Sequence, residues 1–136
     1  IDYLEQPTIK NNDLYELRMI SDIPIAVDES LTDPQSLNDI IKEGAADVLV
    51  IKPTLTGGLE DIKKLLHIAK IEGLRAVFTS SFETHIAQLF ILHLIASLEI
   101  SEHCGLFNID LFNDKLPKII KDQCKVPESK GIGFDE

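Results

Sequence analysis

The feature of this sequence that most limits its fold is the alternation of short apolar runs with longer stretches that look helical. Four such runs, IDYLE, IPIAVDES, DVLVIKP and LRAVFTSS, each precede a helical stretch, and GLFNIDL supplies a fifth candidate strand. The stretch 59–72 spaces its apolar residues three and four apart, as one face of a helix requires. Strands that alternate with helices predict an α/β protein with a parallel sheet, because parallel strands need a long crossover connection.

The boundaries of the helices can also be predicted. We expect helices over about 12–20, from Pro34 to a stop at Gly44, from 59 to a stop at Gly73, and over 84–98. Proline fits the first helical turn and glycine fits the position just after the last one. The tail from residue 116 contains two prolines and is predicted to be irregular.

The predicted strands end at regular intervals, near Glu5, Asp28, Lys52, Ser80 and Gly105. Each interval is about one βα unit long, so neighbouring strands of one parallel sheet are expected. Two architectures fit this rhythm: an open doubly wound sheet, and part of a (β/α)8 barrel. Both gather functional residues at the carboxyl ends of their strands.

Charged side chains follow three successive strands at these ends. Glu5 closes the first run, Asp28 and Glu29 follow the second, and Lys52 follows VLVI. Adjacent parallel strands lie about 4.8 Å apart, so these side chains are expected to converge. Two carboxylates at such a short distance repel each other unless a cation lies between them. Because the expected ligands are oxygen atoms and include no cysteine, the cation is predicted to be Mg²⁺. A plainer reading also fits, in which the acids cap helices or face solvent and the lysine reaches out to water.

Composition excludes several classes of function. The chain has 136 residues and a net charge of -10, which argues against nucleic acid as a partner. The two cysteines, Cys104 and Cys124, have no CxxC spacing, which argues against a zinc site or a disulfide framework. A reducing, cytoplasmic location is therefore expected. No apolar run reaches the roughly 20 residues of a membrane span. Because the chain opens on an apparent strand without methionine, we expect that part of a longer protein precedes it.

Several of these motifs carry a family resemblance. In their order and spacing, YLEQP, IPIAVDES and VLVIKPTLTGGL resemble the muconate-lactonizing subgroup of the enolase superfamily. Within that superfamily, IKPTLTGGLEDI, AVFTSSFET and GLFNIDLF are similar to the o-succinylbenzoate synthases of menaquinone biosynthesis. The resemblance covers nearly the whole chain.

The resemblance implies a fold. Residues 1–136 would form one domain, the C-terminal half of a (β/α)7β barrel of the TIM type. The first barrel strands and the α+β capping domain of the family would lie outside this chain. Such a half barrel has open sheet edges, which the missing N-terminal half of the same protein or another copy of the chain would cover.

The resemblance also implies a site. Glu5 and Asp28 would be two of the three carboxylate ligands of Mg²⁺, with Glu29 beside them. Lys52 would be the catalytic lysine that stabilises an enediolate intermediate, across the substrate from the base. The small carboxylate substrate would lose water by syn elimination. The base and the first metal ligand belong to earlier strands, so the isolated chain is expected to be inactive.

Substrate-binding residues are assigned in the same way. The resemblance implies that backbone amides near Ser81 and Gly105 hold a succinyl carboxylate, and Thr54 is assigned to the substrate as well. Related dipeptide epimerases carry an Asp-x-Asp where this chain has Asn108 and Asp110, which disfavours that activity. Two alternatives stay open: a dipeptide epimerase or cycloisomerase of the same superfamily, and a non-catalytic half barrel with a structural role.

Overall fold

The computed structural model describes residues 1–106, 119–120 and 123–133. The chain divides into two compact units, residues 1–79 and residues 80–136. Nearly all of the helices and strands that bear on function belong to the first unit.

The first unit is built from βα repeats, as the alternation of strands and helices predicts. Its strands are β1 (Leu4–Glu5), β2 (Ile25–Val27), β3 (Val48–Ile51) and β4 (Arg75–Phe78). Its helices are α1 (Asn11–Ile20), α2 (Pro34–Glu43), α3 (Pro53–Thr56) and α4 (Leu59–Glu72), with a short 3₁₀ helix at Glu29–Leu31. The four strands are all parallel and lie in the order β1-β2-β3-β4. The prediction of an α/β chain with a parallel sheet is confirmed.

The second unit holds α5 (His85–Ser97), β5 (Ile119–Ile120) and β6 (Gln123–Cys124). The two short strands pair in antiparallel fashion, so the prediction of an irregular tail is wrong at this point. The predicted fifth strand, GLFNIDL, lies outside the described residues from position 107 onward. None of the helices among the described residues is long and apolar enough to cross a membrane.

The ends of the helices follow from local chemistry. Asp33 caps α2 by accepting a hydrogen bond from the Ser36 N–H at 2.8 Å. The residues after α2 and α4, Gly44 and Gly73, have φ angles of 64° and 69°. Only glycine adopts this left-handed conformation without a steric penalty, so both predicted helix stops are confirmed.

Both faces of the sheet are buried. All four residues of β3 are buried, as expected of a parallel strand covered on two sides. One face carries a cluster of small apolar side chains, formed by Ala26, Val48, Val50 and Val77, with Tyr3 packed against it. The alternate residues of the strands point to the opposite face, where large apolar side chains are fully buried; they include Ile25, Leu49, Ile51 and Phe78.

The amino ends of the strands carry closed ion pairs. Asp47, just before β3, accepts hydrogen bonds from Arg18 Nε and Nη2 at 3.1 and 2.8 Å and from the Ile25 N–H at 3.0 Å. Although burial alone would raise it, the pKa of Asp47 is held below its ordinary value by these bonds and by the Arg18 charge. Arg75 binds both carboxylate oxygens of Asp2 at 3.0 Å. The first pair joins α1 to the starts of β2 and β3, and the second joins the start of β4 to the residue two positions before β1.

The apolar helix α5 differs from expectation in one respect. Its composition predicts burial on all sides, and six of its residues, among them Leu89 and Ile91, are buried. Two others on one side are about half exposed, Ile86 at 46% and Phe90 at 48%. A nearly uniform apolar composition therefore did not reveal which side of α5 remains open.

Candidate active site at the carboxyl ends of the strands

Three charged side chains meet at the carboxyl ends of neighbouring strands. Glu5 ends β1 and is in register with Ala26, while Asp28 and Lys52 follow β2 and β3 directly. Because side chains alternate along a strand, Asp28 shares the face of Ala26, and Lys52 shares that of Val48. The three charges therefore lie directly beyond the cluster of small apolar side chains.

The charge of Lys52 is balanced by Asp28. Lys52 Nζ donates a hydrogen bond to Asp28 Oδ2, and the two form an ion pair. The side chains are only 21% and 7% exposed, so each charge would be costly to bury without the other. This pairing accounts for a lysine at the end of a strand that is otherwise completely apolar.

Glu5 lies within the electrostatic reach of the same pair. Partial burial, the charge of Asp28 and a hydrogen bond with the Asp28 carboxyl all raise the pKa of Glu5. The charge of Glu29 raises this pKa further, and the charge of Lys52 lowers it. The negative form of Glu5 is thus disfavoured by its surroundings. Three carboxylates and one ammonium are close enough to influence one another.

This arrangement has part of what a divalent cation needs. Glu5 and Asp28 supply hard oxygen donors at the ends of adjacent strands. Partial burial and the charge of Asp28 both raise the pKa of Glu5, and a bound cation would offset the effect of that charge. The donor set therefore fits Mg²⁺ as two of its ligands. Within the described residues, no three His, Cys, Asp or Glu side chains come together as a complete site.

The backbone of Lys52 is fixed by the short helix that follows it. Its carbonyl accepts hydrogen bonds from the N–H groups of Leu55 and Thr56 at 2.9 Å and from Thr56 Oγ1 at 2.9 Å. Pro53 begins α3, where its missing N–H is no loss. Thr54, assigned to the substrate from the sequence, is exposed on this helix.

The remaining residues assigned to the substrate belong to the second unit. The Ser81 N–H donates a hydrogen bond to the Glu83 carboxylate, and Glu83 is 7% exposed. The Gly105 carbonyl accepts from the Ser80 N–H at 2.9 Å. That a buried carboxylate binds the Ser81 amide was not predicted from the sequence. Asn108 and Asp110 lie outside the described residues.

Gln6 contributes to the site although the sequence analysis gave it no role. Its side-chain amide contacts the segments that follow both β1 and β2, including the Asp28 N–H at 3.0 Å. With Ser30, Asn11 and Glu29 it lines an open cavity of about 890 Å³, whose lining does not include Glu5, Asp28 or Lys52. Two signals in the sequence could have indicated it: its place directly after a predicted metal ligand, and its presence in the YLEQP motif.

Thr79 is a second residue that the sequence analysis passed over. It lies one position beyond the Ile51–Phe78 pair, which puts it opposite Lys52 in the register of β3 and β4. Its Oγ1 is buried and has no hydrogen-bond partner within the described part of the chain. A buried hydroxyl without a partner is unusual and marks a position where another molecule could bind. Counting alternate residues from Val77 would have placed it on the face of Lys52.

Comparison with protein families finds a match over nearly the whole chain. Residues 1–135 match the family model described as enolase C-terminal domain-like. The muconate cycloisomerase 1 of Rhodococcus opacus is 30% identical over 99% of this chain and 38% of its own length. An o-succinylbenzoate synthase of Escherichia coli O6:K15:H31 is 35% identical over 82% of this chain and 34% of its own. The chain thus spans little more than a third of these relatives.

Solved structures agree on the fold. The N-succinyl Arg/Lys racemase of Bacillus cereus ATCC 14579 superposes with a TM-score of 0.84 and 28% identity, covering 99% of this chain and 38% of that one. The MenC structure from Desulfotalea psychrophila LSv54 superposes with a TM-score of 0.76 and 22% identity, covering 87% and 34% of the two chains. The interpretation of the chain as half of a TIM-type barrel is confirmed, and the open doubly wound sheet is excluded.

Proposed function

Because the chain belongs to the enolase C-terminal domain-like family, we propose that it carries one half of the active site of a Mg²⁺-dependent enzyme. That enzyme removes a proton from the carbon next to a substrate carboxylate. The observation that carries the proposal is the convergence of Glu5, Asp28 and Lys52 at three adjacent strand ends, with Lys52 and Asp28 paired.

The proposed reaction is that of an o-succinylbenzoate synthase. A cyclohexadiene carboxylate with a succinyl side chain loses the proton next to its carboxylate and a hydroxide from the neighbouring carbon. The two leave as water, and the new double bond completes the aromatic ring of the product. The 35% identity to a synthase of this name and the IKPTLTGG stretch favour this reaction.

Some residues of this chain would bind the substrate, and others would stabilise the negative charge that develops on it. Lys52 would place its ammonium beside the substrate carboxylate, where negative charge develops as the proton leaves. Asp28 would hold that ammonium in position through their ion pair. Thr54, Ser81 and Gly105 stay as proposed contacts with the substrate, and Glu29 as a neighbour that adds negative charge near Glu5.

Glu5 and Asp28 would hold the Mg²⁺. When bound, this ion would stabilise the negative charge that collects on the substrate carboxylate. Within the protein, the two carboxylates would bring that charge stabilisation to the same face of the sheet as Lys52.

The remaining parts of the site would come from outside this chain. The chain covers 34–38% of the curated relatives' length, so there is room in a complete protein for the base and a third metal ligand. The N-terminal half of the same protein, or another copy, would also cover the open edge of β1. The cytoplasmic location predicted from the cysteine usage belongs to this proposal.

A racemase is the second candidate. The B. cereus structure covers 99% of this chain at a TM-score of 0.84, and its name specifies N-succinyl amino acids. Such a reaction also begins with proton removal next to a carboxylate, but the proton returns on the opposite side of the carbon. Two of the comparisons therefore name a succinyl compound, which favours a succinyl-bearing carboxylate as the substrate class.

The test measures turnover by the native-length protein, meaning the complete protein that contains this chain. Turnover is measured with Mg²⁺ present and again after EDTA has removed the Mg²⁺. The substrates are the succinyl cyclohexadiene carboxylate, N-succinyl arginine, N-succinyl lysine, a dipeptide and cis,cis-muconate. Lys52→Ala serves as the inactivated control. We expect the dehydration to be fastest, to need Mg²⁺, and to fall at least about 100-fold in Lys52→Ala.

Each other outcome has a definite meaning. Faster racemisation, epimerisation or lactonization than dehydration would replace the synthase by that activity while keeping the roles of the residues. Loss of no more than half of the turnover in Lys52→Ala would remove Lys52 from catalysis. No turnover of any substrate by the native-length protein would favour a structural half barrel.

A further inference from the structure

We propose that Gln6 is a positioning residue that sets the separation of Glu5 and Asp28 and thereby the affinity of the site for Mg²⁺. The inference rests on the proposed function, since it takes these two carboxylates as metal ligands. Gln6 follows Glu5 in the chain, and its side chain binds the backbone of Asp28.

Gln6 replaces a rung of the β-ladder with its own side chain. The last regular rung between β1 and β2 runs from the Gln6 N–H to the Ala26 carbonyl, at 2.8 Å. In a regular parallel ladder the next rung would join the Asp28 N–H to the backbone carbonyl of Gln6. Here Gln6 Oε1 accepts that hydrogen bond instead, at 3.0 Å. The side chain thus ends the pairing at the point where the two acids emerge.

The other bonds of the Gln6 amide hold it in place. Nε2 donates to the Thr8 carbonyl at 2.8 Å and to Ser30 Oγ at 3.0 Å, and Oε1 also accepts from the Ser30 N–H at 3.4 Å. The amide is therefore bound to the segment after β1 and to the segment after β2. It links the two chain segments that carry the acids, independently of any metal.

The backbone of Gln6 indicates that this link holds an unfavourable conformation. Its φ angle is 38°, in the left-handed region that residues with a Cβ rarely adopt. Such conformations persist where surrounding contacts over-determine them, and they concentrate at functional sites. If the side-chain bonds were lost, the backbone would be able to return to negative φ, which would turn the peptide that follows Glu5.

The Gln6 link matters because it holds together Glu5 and Asp28, two acids that repel each other when both are ionised. Glu5 and Asp28 emerge from paired strands, and two ionised carboxylates held close together repel each other until a cation binds. Gln6 supplies the hydrogen bonds that keep the strand ends together in the metal-free protein. Without them, part of the binding energy of Mg²⁺ would be used to bring the carboxylates back into place.

The test measures Mg²⁺ binding to metal-free, native-length protein by titration calorimetry, with Mn²⁺ binding followed by EPR as a second measurement. Gln6→Met keeps the length of the side chain but removes its hydrogen bonds. We expect its Mg²⁺ dissociation constant to rise about 10–100-fold, as for other partners that orient metal ligands. At saturating Mg²⁺ its kcat should stay within about threefold of the wild-type value, because the ligands themselves remain.

Two further variants separate positioning from general weakening of the fold. Ser21→Ala removes two hydrogen bonds with Ile23 at the other end of β2, and should lower the melting temperature without changing the Mg²⁺ dissociation constant. Ser30→Ala removes one hydrogen-bond partner of the Gln6 amide, together with the bond that Ser30 Oγ donates to Asn11 Oδ1, and should raise that constant by a smaller factor. Ser30→Ala also decides the matter if Gln6→Met does not fold.

Glu5→Gln identifies which proposal has failed. If the wild type binds Mg²⁺, Glu5→Gln binds it weakly, and Gln6→Met and Ser30→Ala bind it like the wild type, the positioning role is wrong and the metal site stands. If the wild type binds no Mg²⁺, or if Glu5→Gln binds it equally well, the metal site is wrong and the role of Gln6 falls with it.

Discussion

Asp47 lies at the amino end of β3 and Glu5 at the carboxyl end of β1, and their surroundings shift the two carboxyl groups in opposite directions. Asp47 has an arginine and a backbone N–H as partners, and its pKa is lowered. Glu5 is partly buried and has Asp28 and Glu29 nearby, and its pKa is raised. At the amino end of the sheet, the negative charge of Asp47 is therefore stabilised by its partners. At the other end, negative charges are gathered at a cost that a bound cation would offset.

The same division appears among the uncharged groups. At the amino end, Ser21 Oγ donates to the Ile23 carbonyl at 2.8 Å and accepts from the Ile23 N–H at 3.0 Å. At the carboxyl end, Thr79 Oγ1 is buried without a hydrogen-bond partner among the described residues. Barrel enzymes have their catalytic residues at the carboxyl ends of their strands. In this sheet, the carboxyl end is also where a buried polar group has no hydrogen-bond partner among the described residues.

The largest expected effect comes from making the same substitution at both ends. Asp28→Asn in the native-length protein should raise the Mg²⁺ dissociation constant at least about 100-fold, because a charged ligand is lost. Turnover should fall with it. Asp47→Asn is the matched control and should bind Mg²⁺ like the wild type. Calorimetry and turnover at fixed Mg²⁺ measure both effects, and equal losses in the two variants would abolish the proposed division.

A smaller effect is expected on stability. A lowered pKa means that the charged form of Asp47 stabilises the fold above the ordinary pKa of 3.8, and that this contribution is lost as the pH falls through the lower folded value. Asp47→Asn should therefore lower the free energy of unfolding by about 1 kcal/mol at neutral pH. Urea unfolding at a series of pH values should show the deficit shrinking below pH 3.8.

Glu5→Gln complements this test because the expected change in the free energy of unfolding has the opposite sign. With a raised pKa, the wild type loses stability as the pH rises from 4.5 through the folded value. In EDTA, Glu5→Gln should therefore be more stable than the wild type at neutral pH, and the difference should close below pH 4.5. Differences of the same sign in both variants would contradict the opposite roles assigned to the two ends.

The smallest effect is expected for Thr79→Val, which replaces a buried hydroxyl by a methyl group of similar size. Because the hydroxyl has no partner among the described residues, its removal should raise the free energy of unfolding by about 0.5 kcal/mol. Ser21→Ala, which removes bonded groups, should lower it by a similar or larger amount. A clear loss of stability in Thr79→Val, measured by urea unfolding, would show that the hydroxyl has a partner in solution.

Much of the fold could be predicted because its signals are local. Apolar runs, Pro34 and the glycines at 44 and 73 each mark the place of one element, and the regular spacing of the strand ends indicates how the elements repeat. The convergence of Glu5, Asp28 and Lys52 followed from the same rule, since neighbouring parallel strands end at one edge. Their roles in catalysis and metal binding stay predictions.

The sequence did not reveal features that depend on the fine path of the backbone. The ladder rung made by the Gln6 side chain occurs together with a φ angle of 38°, and no residue pattern predicts that angle. The Thr79 hydroxyl has no hydrogen-bond partner among the described residues, and this depends on which groups surround it after folding. The β5–β6 pair was missed because two-residue strands leave no periodicity to detect.

The alternation of faces along β3 has a consequence for how such a chain can change in length. Val48, Val50 and Lys52 share one face, while Leu49 and Ile51 occupy the other. Deleting one residue inside β3 would carry Lys52 to the face of Leu49, away from Asp28, even if the strand still formed. Deleting a residue from the loop before the strand would leave this parity intact. Insertions and deletions that preserve the site are therefore confined to the connections between strands and helices.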